Sequence, residues 1–206
     1  MINFFHKLKH WQLFILMIGI PVILQLGVMA SIIPNIKGPS SEFEVLGFFK
    51  YYFIVALFYL FAFYGWIWSI VVGLNHLVPR EIDMKLKRFK IAFFIPVVYF
   101  IILTLVMSFY FPSFIERITI NNTPPNPRVL IGSMAVILPI HLLSIFCIFY
   151  CYYFVAKTLK SIELKREAKF DEYIGEFALV WIYFIGIWFL QPKINTLVEN
   201  NKTINK

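Results

Sequence analysis

Glu176 is the one acidic residue inside any of the long apolar runs of this chain. A charge within hydrocarbon is costly and by default marks a functional site, such as a proton relay or a transport carboxylate. Its position also allows a plainer role, because it stands about one helical turn from the start of its run, within reach of headgroups or a basic loop. Structural pairing is the favoured reading, with His76 and Asn75, at the end of an earlier run, as polar partners at matching depth. His141 lies about 11 residues into another run, which at ~1.5 Å per residue brings it near mid-membrane. No acid stands at that level, so a neutral imidazole hydrogen-bonded to a Ser or Thr of a neighbouring helix, or to Gln25, is favoured over a proton relay.

Gly65, Ser69 and Gly73 recur every four residues, a small-residue ridge against which another helix can pack closely, with Trp66 and Trp68 on other faces. Cys147 and Cys151 are one helical turn apart and share a face without the geometry for a disulfide. With no third cysteine and no suitably spaced histidine, neither a metal site nor a cofactor is expected. The chain has no Gly-rich phosphate loop, His-Glu-x-x-His motif or Gly-x-Ser-x-Gly elbow. It also lacks the Arg–His spacing of helical RNA-cleaving nucleases and the paired helical acids of intramembrane prenyl-protein proteases. Two matches to the glycosylation pattern, at Asn121 and Asn201, are read as unmodified.

The elements that must position these residues are five apolar runs, at roughly 12–33, 48–74, 91–111, 130–156 and 174–191. A span needs about 20 residues to cross ~30 Å of hydrocarbon, so the expectation is an all-α polytopic transmembrane bundle of about five spans in one domain. With 60% hydrophobic and 15% charged residues, and a mean hydropathy of +0.77, the chain falls outside the range of soluble domains. The last run is the shortest and is read as a span, with a re-entrant segment as the alternative. The first is too long for a signal-peptide core and is retained as a helix, kinked at Pro21. Ser41-x-x-Glu44 reads as a capping box, Pro112 as the end of the third helix and Asp171 as the N-cap of the fifth. The second helix should stop near His76, and the fourth, starting near Val129, should outrun the membrane into the charged stretch that follows it.

Lysine and arginine set the orientation. The N-terminus and the second and fourth loops hold 12 of them, against 7 in the first and third loops and the C-terminal tail. The positive-inside rule then places the N-terminus in the cytoplasm and, with five spans, the tail outside. The net charge of +8 reads as this topology signal and as attraction to anionic lipid, so nucleic acid is not an expected partner.

Trp66-Ile67-Trp68-Ser69 with Gly73-Leu74, Met84-Lys85 through Ile95-Pro96, Tyr173-Ile174-Gly175-Glu176-Phe177 and Gly186 through Asn195 are the most distinctive stretches. In these the chain resembles a group of small multi-spanning inner-membrane proteins of Bacteroidetes. The resemblance implies a multi-pass helical fold in the bacterial inner membrane and brings no activity with it. In size and span count the chain is also similar to small membrane accessory proteins of RNA-targeting CRISPR loci, a likeness of architecture alone. The function expected is therefore structural, regulatory or accessory, with a defence system as one setting and a homo-oligomer or another membrane protein as partner. The alternatives are an oligomeric pore or small transporter using Gln25, His141 and Glu176, and an intramembrane enzyme with Glu176 and His76 as acid and base. No inverted repeat supports the transporter.

Overall fold

In lipid no water is present to satisfy backbone N–H and C=O groups, so an apolar run must close its own hydrogen bonds as a helix. A computed structural model describes residues 2–32, 41–119 and 126–204, and they form an all-α bundle. The helices are α1 (Ile2–Lys7), α2 (His10–Phe14), α3 (Ile20–Ile32), α4 (Ser41–Gly73), α5 (Leu86–Thr119), α6 (Pro127–Leu164), α7 (Phe170–Trp181) and α8 (Tyr183–Ile204). A π-helical turn, Ile15–Gly19, joins α2 to α3 without a break. It lies just before Pro21, where the proline has no N–H to donate to the preceding turn, and the widened turn absorbs the mismatch. Among the described residues, four stretches are long and apolar enough to cross a membrane: His10–Ala30, Phe53–Leu77, Leu86–Phe111 and Pro127–Leu164.

Pro112 does not end the third helix as the sequence suggested. α5 runs through Pro96 and Pro112 to Thr119, and α6 and α8 contain Pro139 and Pro192. One lost backbone bond costs less than exposing a whole turn of unpaired groups in hydrocarbon. α4 ends at Gly73 and passes through a short 3-10 turn, Asn75–Leu77, and α6 starts at Pro127. There Asn126 is the N-cap, accepting from the Arg128 N–H at 3.0 Å. The side chains of the Ser41–Glu44 box, and residues 121–125, lie outside the described residues.

The fifth run differs most from expectation. It is two helices, broken at Ile182, whose ψ of 56° leaves the helical region. The chain then doubles back. Glu176 and Lys193 are 17 residues apart and would be separated by about 25 Å in a straight helix, yet their side chains meet at 2.8 Å. Glycine is required at 186, since a Cβ there would overlap the Leu179 carbonyl oxygen. The arms from the charged pair to the bend are 6 and 11 residues long, or about 9 and 16 Å.

α4 is the central helix, packed by α1, α3, α5 and α6. The core lies at one end of the bundle, where Trp66, Ile67, Ile70 and Leu74 of α4 meet Phe89 of α5 and Leu159 of α6. At the other end the helices separate, and every side chain from 126 to 140 is exposed.

Candidate functional site

The end of α6 carries Lys160 and Glu163 on one face, α7 brings Glu176 and α8 brings Lys193. The four form a ring of alternating charge. Lys193 Nζ donates to Glu163 Oε2 at 2.6 Å and to Glu176 Oε1 at 2.8 Å. Lys160 Nζ closes the ring, 3.0 Å from Glu163 and 3.6 Å from Glu176. Glu176 is only 9% exposed, so an unpaired carboxylate there would be costly. As arranged, the ring is a cross-link between three helices.

The corner before α7 is fixed by a second set of charges. Lys165 adopts the left-handed conformation (φ 54°) that ends α6, and Arg166 turns onto Glu172 with Nη1 2.9 Å from Oε2. The N-cap of α7 is Lys169, not Asp171. Glu172 reaches back to accept from the Lys169 N–H at 2.7 Å, leaving Asp171 in the first turn to favour the helix dipole. The Arg166 guanidinium, and then the Lys169 N–H, lower the Glu172 carboxyl from 4.5 to about 2. Lys157 reaches across the same corner to Glu167 at 2.6 Å.

Two residues before Lys193 on α8, Gln191 is fully buried with both ends of its amide in use. Its Oε1 accepts from the Trp66 indole N–H at 2.9 Å, while Nε2 donates to the carbonyls of Phe5 (2.8 Å) and Leu8 (2.9 Å). Asn195, next along the same face of α8, donates to the Leu8 carbonyl at 3.1 Å. These are the acceptors left over where α1 ends, so two side chains of α8 cap the N-terminal segment. Ser69 and Gly73, two of the three positions of the Gly65–Ser69–Gly73 ridge, also meet that segment. The His6 Nε2 is 2.9 Å from the Ser69 carbonyl, and a Cβ on Gly73 would come within 2.6 Å of Ile2 and His6. Gly65 is buried on the same helix.

The remaining sequence candidates have other partners than those expected. His76 does not pair with Glu176. It and Asn75 are exposed in the turn after α4, and the His76 Nε2 lies 3.1 Å from the Asn201 amide nitrogen of α8. His141 bonds neither to a Ser or Thr nor to Gln25; its Nδ1 is 3.1 Å from the Tyr99 hydroxyl of α5. Gln25 is half-buried on α3, which packs against α4. Cys147 and Cys151 are free and buried. Among the described residues no group of three His, Cys, Asp or Glu side chains could hold a metal. Among the described residues the Tyr64 hydroxyl has no hydrogen-bond partner, and it lies buried on the wall of a 420 Å³ cavity bounded by Tyr59, Phe63, Phe100 and Tyr152.

Lys193, Gln191 and Asn195 were not singled out by chemistry in the sequence. Their only signal was a polar cluster at the end of an apolar run, and their partners lie up to 187 residues away. Comparison with protein-family models, curated proteins and solved structures finds no match for the chain.

Proposed function

We propose that the chain is a multi-pass protein of the bacterial inner membrane with four spans and one re-entrant half-span, acting as a structural or regulatory accessory component. The observation that carries this reading is the Lys160–Glu163–Glu176–Lys193 ring, which turns the lone acid of the apolar runs into an inter-helix cross-link. A carboxylate held by two ammonium groups suits holding helices together better than it suits shuttling ions. His141, likewise, is bound to Tyr99. The arms of the α7–α8 hairpin, about 9 and 16 Å, reach roughly half of the ~30 Å hydrocarbon layer.

Orientation follows from the same hairpin. Gln191 bonds to the N-terminal segment and Asn201 to the turn after α4, so the tail joins the end that holds the N-terminus and the basic loops. Counting its three lysines there changes the basic-residue ratio from 12:7 to 15:4. The positive-inside rule makes that end cytoplasmic. A protein of this kind works through neighbours, in a second copy or another membrane protein, and a defence system is one such setting.

Two experiments test the reading. In a background lacking Cys147 and Cys151, a cysteine replacing Arg128 should react with an impermeant reagent in intact cells, and one replacing Asn200 should not. Labelling at position 200 would overturn the half-span. Glu176→Gln should fold and complement a deletion strain, whereas a folded Gln variant that fails to complement would move the reading to a conduit.

A further inference from the structure

We propose that the α5–α6 face binds one anionic diacyl phospholipid, with its phosphate among Lys87, Arg88 and Lys90. Two apolar furrows run side by side there and share Ile91 and Ile95 as the ridge between them. The longer encloses 780 Å³ between Lys90, Phe94, Val98, Ile102 and Val106 of α5 and Ile140 of α6. From Lys90 to Val106 it extends about 24 Å, more than the ~15 Å depth of one leaflet, so a full acyl chain lies within it. The shorter encloses 460 Å³ between Arg88, Ala92, Phe146, Cys147 and Tyr150.

Both furrows carry a base at the same end and are otherwise apolar along their walls, Tyr99 and Tyr150 apart. That is the pattern of one diacyl lipid: two chains diverging from a single headgroup. The headgroup charge follows from the protein side. Lys87, Arg88 and Lys90 are exposed in the first turns of α5 and make no ion pair among the described residues. Three unneutralised cations at the membrane boundary call for a phosphate, and their helix N-terminus adds to the attraction. A zwitterionic lipid would add its own cation to this cluster and bind less well.

The inference rests on the membrane placement proposed above. Failure of that placement would be visible separately, as protein released from membranes by alkaline carbonate without detergent. The experiment adds phosphatidylglycerol or phosphatidylcholine of the same acyl chains to the detergent-purified full chain. Retained lipid is read by native mass spectrometry, and thermal stability by circular dichroism. Phosphatidylglycerol should be retained at one per chain and raise the midpoint, saturably. Arg88→Gln with Lys90→Gln should weaken its retention by about 25-fold, at about fivefold per base removed. Val98→Trp, which fills the long furrow from an exposed position, should lower retention with the bases intact. Equal retention of the two lipids, or undiminished retention in both variants, would refute the site. A tightly co-purifying helical protein displaced by neither lipid would assign the furrows to a protein partner instead.

Discussion

Replacing Gln191 by Leu, similar in volume and without the amide, tests the closure of the fold most directly. The Trp66 indole N–H would lose its partner at 2.9 Å in a site where Trp66 is fully buried. An orphaned buried donor costs about 1–3 kcal/mol. The two carbonyls are less exposed to the loss, because Phe5 keeps the Leu8 N–H at 3.3 Å and Leu8 keeps Asn195 at 3.1 Å. Losing one bond to each adds about 0.5–1.5 kcal/mol apiece, which puts the expected destabilisation at about 2–6 kcal/mol. Trp66→Phe combined with Gln191→Leu removes the orphaned donor as well. The double variant should therefore be destabilised by less than the sum of the two single variants, with a coupling of about 1–3 kcal/mol. The assay is equilibrium unfolding in mixed micelles followed by circular dichroism, which does not depend on the tryptophan that is changed. A coupling within about 0.3–0.5 kcal/mol of zero would refute the pairing, since that is the scatter of independent sites.

Gly73→Ala should destabilise the bundle by about 1–3 kcal/mol as α1 is pushed from α4, because the added methyl meets Ile2 and His6 at 2.6 Å; unchanged stability with α1 still protected from protease would show that the ridge tolerates a side chain. Tyr64→Phe should leave stability unchanged or raise it by up to about 1 kcal/mol, since the hydroxyl lacks a partner; a clear loss in thermal denaturation would reveal a bound group at that hydroxyl. Glu172 is lowered from 4.5 to about 2 by Arg166, so its contribution is present above about pH 4.5 and fades as pH falls toward 2. The stability difference between wild type and Glu172→Gln should shrink over that window in acid titration, and a constant difference from pH 7 to pH 3 would contradict the ion pair.

The long helices were legible because each is a run of apolar residues longer than a bilayer span, and no other backbone arrangement satisfies its own polar groups in lipid. The small-residue ridge on α4 was legible for the same kind of reason, as a local spacing of four. That it receives the N-terminal helix was not, because Ile2–Lys7 is too short to announce itself by periodicity. The break at Ile182 was hidden in an unbroken apolar run whose turn depends on Gly186 approaching the Leu179 carbonyl. Once the run is read as straight, Lys193 falls about 25 Å from Glu176, which is left to find a partner such as His76. Proline at 112 misled in the opposite direction, as a helix end that is a helix interior. Depth along a span is readable from residue counts, whereas the pairing of Glu176 or His141 depends on which helices adjoin.

The Gln191 amide joins two segments far apart in sequence, with 183 residues from the Leu8 carbonyl to the amide. At roughly 5–20 residues per second, synthesis of that interval takes about 10–40 s. Throughout it the carbonyls of the N-terminal segment and the Trp66 indole await a partner that has not yet been made. Other groups must serve in its place, so α1 stays undocked until α8 is made. The bundle is thus closed by a segment made long after the one it closes upon. A chain truncated before Gln191 would present an undocked N-terminal segment.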